Sequence, residues 1–223
     1  MKLLILGGTV FLGRHIVEAA LARAHEVTLF NRGQHNPELF PEVEKLRGDR
    51  DGDLSALCGR RWDAVIDPSG YVPRLVGDSA RLLADAVEHY SFVSSLSAYA
   101  SFAEPNQNED APLATMDDET FEKITGETYG PLKVLCERAA EAAMPGRVAV
   151  IRPGLIVGPH DPTDRFTYWP VRVAKGGDVL SPAPADYPVE FTDVRDLAAW
   201  MVAVAERRIP GVFNASGPGE GST

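Results

Sequence analysis

Short apolar runs alternate along the chain with longer segments in which apolar residues recur every three or four positions. The first three elements are a predicted strand at 2–6, a helix at 11–24 and a strand at 26–30, which together form a β-α-β unit. Further strands are predicted at 43–47, 63–67, 90–94, 148–152 and 211–214, and further helices at 73–89, 130–143, 165–175 and 193–207. Because most of the strands are continuous apolar runs, the pattern predicts an α/β fold with a doubly wound parallel sheet covered by helices on both faces.

Composition narrows the class of protein. The chain has 223 residues, of which 44% are hydrophobic and 24% charged, so it is long enough for one large globular domain. Its net charge of −10 disfavours a broad electrostatic grip on nucleic acid or on an anionic membrane surface. No run of about 18 apolar residues is present, so no membrane span is expected. Cys58 and Cys136 lie in no metal-binding motif, which indicates reduced thiols, a cytoplasmic location and no metal site.

Charge is distributed unevenly along the chain. Residues 104–127 contain eight acids and one base, whereas residues 147–175 contain five bases and two acids. Ligands of open parallel sheets bind beyond the carboxyl ends of the strands, so the basic segment is a candidate for receiving an anionic substrate, with Arg165 or Arg172 contacting a phosphate. The acidic segment is then expected to form a rim of the site, or, under the alternative interpretation, to be ordinary solvated surface.

The turn between the first strand and its helix has the position of a nucleotide-binding loop. It consists of Gly7, Gly8, Thr9, Val10, Phe11, Leu12 and Gly13. Backbone N–H groups at a helix N-terminus and the helix dipole attract phosphate groups, and glycines allow tight turning and close approach. Gly7 and Gly13 meet two of these needs, whereas Val10 occupies the middle position, where a side chain crowds a pyrophosphate. The turn therefore predicts dinucleotide binding, with an ordinary glycine turn as the alternative.

Residues after the second, third and fourth strands bear on which dinucleotide is bound. Asn31 and Arg32 follow the second strand, where an acid would bind a ribose 2′-hydroxyl and an arginine suits a 2′-phosphate. The sequence therefore slightly favours NADP over NAD. Asp49, after the third strand, is a candidate acceptor for an adenine amino group or else a turn-forming residue. The candidate cofactor-binding residues are completed after the fourth strand by Pro68, Ser69 and Gly70.

A tyrosine and a lysine four residues apart supply candidate catalytic groups. Tyr129 and Lys133 lie on one face of a predicted helix, where the ammonium can lower the pKa of the phenol. Such a phenol can exchange a proton while hydride moves to or from a nicotinamide. The fifth strand ends in Ser94, Ser95 and Ser97, and one of these hydroxyls can orient a substrate oxygen, although serines at strand ends are also common loop formers.

Four motifs together resemble one protein family. They are GGTVFLG at 7–13, FVSSLSAY at 92–99, YGPLK at 129–133 and RPGLIVGP at 152–159. In this order they resemble an extended short-chain dehydrogenase/reductase of the NAD-dependent epimerase/dehydratase type. The resemblance implies a catalytic set of Ser95, Tyr129 and Lys133, with Lys133 also holding the nicotinamide ribose and Pro153 lying against the nicotinamide. It further implies oxidation or reduction of a carbinol or carbonyl, with a nucleotide sugar as the candidate substrate.

The resemblance also implies a domain arrangement. Residues 1–152 are expected to form a Rossmann-type dinucleotide-binding domain. Residues 153–223 are expected to combine a small, incomplete substrate-binding part with a helix and a strand at 193–214 that return to the first domain. The expected partners are a small-molecule substrate and a second copy of the chain in a homodimer, rather than nucleic acid or a membrane.

Two departures from the family pattern keep other functions open. Leu96 and Ser97 stand where sugar dehydratases have Asp and Glu, so dehydration is not expected. Val10 replaces the second glycine of the turn, as in branches of the family that have lost catalysis or bind RNA. The alternatives to an enzyme are therefore a non-catalytic dinucleotide-responsive protein and, less favoured by the net charge of −10, an RNA-binding protein.

Overall fold

A seven-stranded parallel sheet forms the centre of the protein. The computed structural model describes residues 1–104, 106–180, 184 and 189–217. The strands in these residues are β1 (Lys2–Leu6), β2 (Glu26–Asn31), β3 (Glu44–Arg47), β4 (Ala64–Asp67), β5 (His89–Val93), β6 (Val148–Pro153), β7 (Leu155–Val157), β8 (Phe191–Asp193) and β9 (Gly211–Ala215). The large sheet has the order β3-β2-β1-β4-β5-β6-β9, with every neighbouring pair parallel. This order confirms the predicted doubly wound sheet. Successive strands are added toward one edge from β1 to β3 and toward the other edge from β4 onward, and such sheets bind ligands at the switch point between β1 and β4.

Helices cover both faces of this sheet. They are α1 (Phe11–Ala22), α2 (Pro73–Leu83), α3 (Tyr129–Ala143), α4 (Tyr168–Ala174) and α5 (Val194–Arg207). α1 packs against α5 on one face, and α2 packs against α3 on the other. Alternate residues of β1 supply the two cores, since Leu3 and Ile5 lie in the α1/α5 core and Leu4 and Leu6 in the α2/α3 core. All four are at most 1% exposed, as expected for a strand covered on both faces.

The predicted helix at 73–89 was too long. α2 ends at Leu83, and His89 is the first residue of β5. Between them the main chain bonds to the opening of β4, because Trp62 donates to the carbonyl of Ala86 and Glu88 donates to the carbonyl of Asp63. Tertiary pairing with a neighbouring strand therefore overrides the helical pattern of residues 84–89. The other predicted elements of the large sheet and its helices lie within about two residues of the observed bounds.

A small second sheet was not predicted. β7 and β8 pair in parallel, and each has only three residues, which is too short for an alternating pattern to be read. Asp193, the last residue of β8, caps α5 by accepting a hydrogen bond from the Arg195 amide at 2.8 Å. β8 thus leads the chain into α5 and β9, which rejoin the large sheet.

The segment predicted as a helix at 165–175 contains only the two turns of α4, and none of their residues is buried. Within the part of the chain that the structure describes, no helix is both long and apolar enough to cross a membrane.

Candidate functional site

A cavity of about 1130 Å³ opens along the carboxyl ends of the parallel strands. The glycine turn after β1 forms one wall, and the segments after β2, β3 and β4 extend it. The opposite wall comes from the end of β5, the start of α3 and residues 153–165. The cavity therefore lies where the reversal of strand order predicts a ligand.

Steric limits explain the glycines of the turn. Gly7 and Gly8 have φ angles of 121° and 93°, which L side chains rarely adopt. A Cβ at Gly13 would lie 2.9 Å from the Gly8 nitrogen, so a side chain there would push α1 away from the turn. Val10 has φ −128° and ψ 141°, an extended conformation that requires no glycine. Its side chain is 46% exposed and lines the cavity, as do all the residues from Gly7 to Gly13.

Asn31, predicted to contact the cofactor, has its side chain engaged in holding the turn. Its Nδ2 donates to the Gly7 carbonyl at 2.8 Å, and its Oδ1 accepts from the Gly33 amide at 2.9 Å and from the Arg47 guanidinium. Ser69 acts similarly from the other side, since its Oγ donates to the Leu6 carbonyl at 2.7 Å. Both residues line the cavity, and both fix the main chain of the glycine turn, which forms one of its walls.

Arg32 and Asp49 face the same end of the cavity. The Arg32 Nη1 lies 4.0 Å from Asp49 Oδ2, and both side chains are about half exposed. The main chain of Asp49 forms an antiparallel bridge with Asp53, which fixes the loop after β3. Arg32 and Asp49 therefore lie side by side after β2 and β3, where the sequence predicts residues that contact the ribose and the adenine.

A buried ion pair supports this loop and was not predicted from the sequence. Arg50 donates to both carboxylate oxygens of Asp67 at 2.8 Å, and Asp67 is fully buried at the end of β4. Tyr90 donates to the same carboxylate at 2.7 Å, and Arg50 also donates to Ser79 Oγ at 2.7 Å. Burial opposes the charge of Arg50, but the adjacent Asp67 carboxylate more than offsets it and raises the pKa of the guanidinium. The pair locks the loop after β3 onto the centre of the sheet.

The three candidate catalytic residues line one side of the cavity. Tyr129 and Lys133 lie in the first turns of α3, and Ser95 follows β5. Close packing of α3 on the loop after β5 depends on Gly130, where a Cβ would lie 2.1 Å from the Ser97 carbonyl oxygen. Burial raises the pKa of Tyr129, and the nearby Ser95 side chain acts against this shift. The predicted Ser, Tyr and Lys are thus brought together.

Lys133 is almost completely buried at 2% exposure. Its Nζ donates to the main-chain carbonyls of Gly70 and Val93 at 2.6 and 2.8 Å. Burial lowers the pKa of Lys133 to about 8. Burial also raises the pKa of Tyr129, while the Ser95 hydroxyl and the positive charge of Arg165 act in the opposite direction. The site therefore holds a protonated phenol beside an ammonium that titrates near neutrality.

Tyr71 is a further aromatic residue of the site that the sequence did not indicate. Its ring lines the cavity with its centroid 4.5 Å from Lys133 Nζ and 6.4 Å from the ring centroid of Tyr129. It occurs in a short Pro- and Gly-containing turn after β4, where no periodic pattern singles it out.

Behind Ser95 lies a second buried ion pair. Arg152 donates to the two oxygens of Glu137 at 3.0 and 2.7 Å, and the side chains are only 3% and 8% exposed. Ser94 donates to the same carboxylate, and Arg152 also donates to the Tyr99 hydroxyl at 3.0 Å. This network joins α3, β6 and the end of β5 directly beneath the candidate catalytic residues.

Most of the five bases in the segment 147–175, predicted to receive an anionic substrate, have their side chains engaged by other groups of the protein. Arg152 is neutralised by Glu137, and Arg147 donates to the main-chain carbonyls of Ala84 and Val87. Arg172 donates to main-chain carbonyls of its own segment and lies outside the cavity wall. Arg165 does line the cavity. A count of charges along the sequence misses these pairings because it shows neither main-chain acceptors nor the contacts that the fold creates.

Three other predicted cofactor-binding residues follow strand ends. Pro68 and Pro153 line the cavity, whereas Gly70 does not. Gly70 instead allows close packing, since a Cβ there would lie 2.5 Å from the Phe92 ring, and its carbonyl accepts from Lys133. Among the residues that the structure describes, no group of three or more His, Cys, Asp and Glu side chains is arranged to hold a metal ion.

Two curated proteins are similar to this chain over almost its whole length. It is 29% identical over 242 residues to dTDP-6-deoxy-L-talose 4-dehydrogenase (NAD(P)(+)) from Kitasatospora kifunensis, covering 100% of this chain and 75% of that protein. It is 27% identical over 237 residues to chloroplast stem-loop binding protein of 41 kDa b from Arabidopsis thaliana, covering 97% of this chain and 58% of that protein. Similarity at this level extends to an enzyme and to a protein named for binding stem-loops.

Solved structures share the fold. UDP-N-acetylglucosamine 4-epimerase from Bacillus cereus has a TM-score of 0.73 at 18% identity, covering 97% of this chain and 79% of that one. UDP-glucuronic acid 4-epimerase from Bacillus cereus, solved in complex with NAD, has a TM-score of 0.74 at 19% identity, covering 98% of this chain and 79% of that one. The family model described as NAD dependent epimerase/dehydratase family matches residues 76–216. Since that match spans more than half of the chain, the protein belongs to the NAD-dependent epimerase/dehydratase family.

Proposed function

We propose that the protein is an NAD(P)-dependent oxidoreductase or epimerase that acts on a carbinol or carbonyl of a nucleotide sugar. The observation that carries this proposal is that Ser95, Tyr129 and Lys133 share one cavity with the glycine turn. A proton-exchanging group and a dinucleotide-type turn in one cavity are what hydride transfer to or from a sugar requires.

The turn fits a dinucleotide in its local stereochemistry. The turn and the first residues of α1 line the cavity, and the free N–H groups and positive dipole end of a helix N-terminus attract phosphate groups. The residues proposed to hold the dinucleotide are Gly7 to Gly13, Arg32, Asp49, Pro68, Ser69, Tyr129, Lys133 and Pro153. When bound, the nicotinamide accepts or returns the hydride.

Tyr129 is the proposed proton-exchanging group. Burial raises the pKa of its hydroxyl and so favours the phenol, which is the form that donates a proton to a substrate carbonyl oxygen. In oxidation, a Tyr129 phenolate takes the carbinol proton while the carbon gives up its hydride. The Ser95 hydroxyl and the Arg165 charge favour that phenolate, since both lower the pKa of Tyr129.

Ser95 and Lys133 have separate proposed roles. Ser95 orients the reacting oxygen, because its side chain lies beside the Tyr129 hydroxyl at the cavity wall. Lys133 supplies a positive charge 6.0 Å from the Tyr129 ring centroid and ties the loop after β4 to the end of β5. It also holds the nicotinamide ribose in this proposal.

The exposed cations of the cavity suggest where anionic groups bind. Arg32 is proposed to contact the 2′-phosphate of NADP, which gives a slight preference for NADP over NAD. Arg165 is proposed to contact a phosphate of the nucleotide sugar, since it lines the cavity and its charge reaches the Tyr129 hydroxyl.

Substitution of Tyr129 tests the proposed function. In Tyr129→Phe, turnover of UDP- and dTDP-hexoses and their keto forms should fall by about 100-fold or more, because the proton-exchanging hydroxyl is removed. Dinucleotide affinity, measured by fluorescence titration, should stay within about threefold, because the ring remains. Tyr168→Phe is the matched control, since Tyr168 is exposed on α4 outside the cavity wall. Full turnover by Tyr129→Phe would refute the proposal.

Val10 favours a second candidate function, a non-catalytic dinucleotide-responsive protein. Its half-exposed side chain projects at the wall where a second glycine would leave room for a pyrophosphate. Binding measurements alone do not separate the two functions, because both predict dinucleotide binding. A purified chain that binds NADPH and fails to turn over a broad panel of carbonyls and nucleotide sugars would support the second.

A further inference from the structure

We propose that Tyr71 is a positioning residue of this site, whose ring face stabilises the charge of Lys133 in its buried setting. The part that Lys133 takes in the reaction comes from the proposed function, and the inference rests on it to that extent. Its test, however, measures the lysine itself and requires neither substrate nor cofactor.

Aromatic rings surround the Lys133 ammonium. The ring centroids of Tyr71, Phe92 and Tyr129 lie 4.5, 5.0 and 6.0 Å from its Nζ. Cations are attracted to the faces of aromatic rings within about 6 Å, and the attraction grows when water is removed. Tyr71 is the nearest of these three rings.

The other contacts of Lys133 are neutral. Its Nζ donates to the main-chain carbonyls of Gly70 and Val93. Within residues 1–104, 106–180, 184 and 189–217, no carboxylate lies within 4.0 Å of this nitrogen. Lys133 is 2% exposed and has no ion-pair partner in these residues. Its charge is therefore stabilised at short range by the two carbonyl dipoles and by the faces of the aromatic rings.

Several titratable groups act on Lys133 from the elements around it. The carboxylates of Asp67 and Glu137 favour its charge, and the Arg50 guanidinium opposes it. Cys136 and Tyr129 lie on the same helix, and Tyr71 lies on the loop after β4. A substitution at Tyr71 leaves every other group of this set in place, so a changed titration of Lys133 reports on the ring.

Tyr71 is also the ring that can be replaced with the least damage. Phe92 is fully buried in the α2/α3 core, and Tyr129 is the proposed catalytic phenol. Tyr71 is 44% exposed. Its replacement by leucine keeps an apolar cover over Lys133 but removes the π face.

The experiment measures the Lys133 pKa in the full chain by NMR of ¹³Cε-labelled lysine. The chain has only five lysines, and the Lys133 signal is assigned by its loss in Lys133→Met. In Tyr71→Leu, the Lys133 pKa should fall by about one unit from its value of about 8. The reason is that the ring face stabilises only the charged ammonium, so its loss favours the neutral amine. In Tyr71→Phe it should stay near 8, because the ring face is kept.

Phe102→Leu is the matched control, since Phe102 is an exposed aromatic residue of the same cavity wall and is not stacked on Lys133. It should leave the Lys133 titration unchanged. Should Tyr71→Leu fail to give a folded spectrum, Tyr71→Met carries the same expectation, because methionine also covers the lysine without an aromatic face.

Two outcomes overturn the inference. An unchanged or raised Lys133 pKa in Tyr71→Leu would mean that the ring only excludes water. An equal fall in Tyr71→Phe would assign the effect to the Tyr71 hydroxyl. If the charged form of Lys133 is needed for turnover, turnover is lost as pH rises through the Lys133 pKa. In Tyr71→Leu the midpoint of this loss should shift to lower pH by the same amount as the NMR titration. Failure of Tyr129→Phe to lose turnover would overturn the proposed function and leave the Lys133 titration as an independent result.

Discussion

The Asn31 side chain holds the Gly7 carbonyl at 2.8 Å, and this contact ties the end of β2 to the first residue of the glycine turn. The same amide accepts from Gly33 and from Arg47, so its hydrogen-bonding groups are occupied by the protein. The Asn31 side chain therefore fixes the main chain of the glycine turn, the proposed dinucleotide-binding element.

Asn31→Ala should weaken both the fold and dinucleotide binding. Loss of the amide leaves partly buried groups without partners, so the free energy of unfolding in urea should fall by about 1–2 kcal/mol. Dinucleotide affinity should fall by about tenfold, because the Gly7 carbonyl is no longer fixed. Gln34→Ala, at an exposed neighbouring position, should change the unfolding free energy by no more than about 0.5 kcal/mol. Equal effects of the two substitutions would contradict this role of Asn31.

Arg32→Ala tests the proposed preference for NADP. Removal of the cation should weaken NADPH binding by about tenfold and NADH binding by less than about threefold, because only NADPH carries the 2′-phosphate. Asp49→Asn is the complementary variant, since it removes a carboxylate 4.0 Å from Arg32 Nη1. Asparagine keeps an oxygen that can accept from an adenine amino group but removes a negative charge beside Arg32, so the ratio of NADPH to NADH affinity should rise. Equal losses for both dinucleotides in Arg32→Ala would argue against the preference.

Glu137→Ala should destabilise the protein strongly. It would leave the Arg152 guanidinium buried without its carboxylate partner, a change that typically costs about 3–5 kcal/mol. Arg138→Ala on the same helix is the control, because Arg138 is exposed and its nearest carboxylate lies 3.8 Å away. The control should cost less than about 1 kcal/mol in urea unfolding. A comparably small loss in Glu137→Ala would show that water reaches the ion pair.

His89 should make the fold sensitive to mild acid. Burial lowers the pKa of His89 to about 4, from an ordinary value of 6.5 in the unfolded chain. Between these two values the unfolded chain binds a proton that the folded protein does not, so the free energy of unfolding should fall as pH falls from about 6.5 to about 4. The full difference between the two pKa values corresponds to about 3 kcal/mol, which is the upper limit of this contribution.

Substitution separates His89 from the carboxylates that titrate in the same range. In His89→Leu, the loss of stability between pH 6.5 and 4 should be smaller than in the unmodified chain. His35→Leu, at an exposed position, should leave the slope unchanged. Identical slopes in all three proteins would exclude His89 as the source.

The periodicity of apolar residues predicted the strands and helices of the large sheet, and the glycine motif predicted the turn after β1. Continuous apolar strands and amphipathic helices bury their own side chains wherever they pack, so periodicity predicted the doubly wound sheet that is observed. Resemblance of the motifs supplied the family, which the family model confirms. The roles of Ser95, Tyr129 and Lys133 stay predictions, although these residues do meet in one cavity.

Long-range pairings escaped the sequence. The Arg50–Asp67 and Glu137–Arg152 contacts join residues 17 and 15 positions apart, and only the sheet order brings each pair together. The charge count included Arg152 among the bases of the segment 147–175, because composition shows neither burial nor the choice of partner. Tyr71 was missed for the same reason, since its neighbour Lys133 lies on a helix that follows much later in the chain.

The return of the chain to the large sheet limits how the protein can be divided. β9 pairs along β6 from Ala149↔Gly211 to Pro153↔Ala215, and Leu197 and Met201 of α5 lie buried in the α1/α5 core. Truncation at residue 152 would strip that helix from its partner and leave β6 as a bare edge, and such edges recruit further strands from other molecules. An expression fragment ending there should aggregate, so we do not expect residues 1–152 to fold as a separate unit.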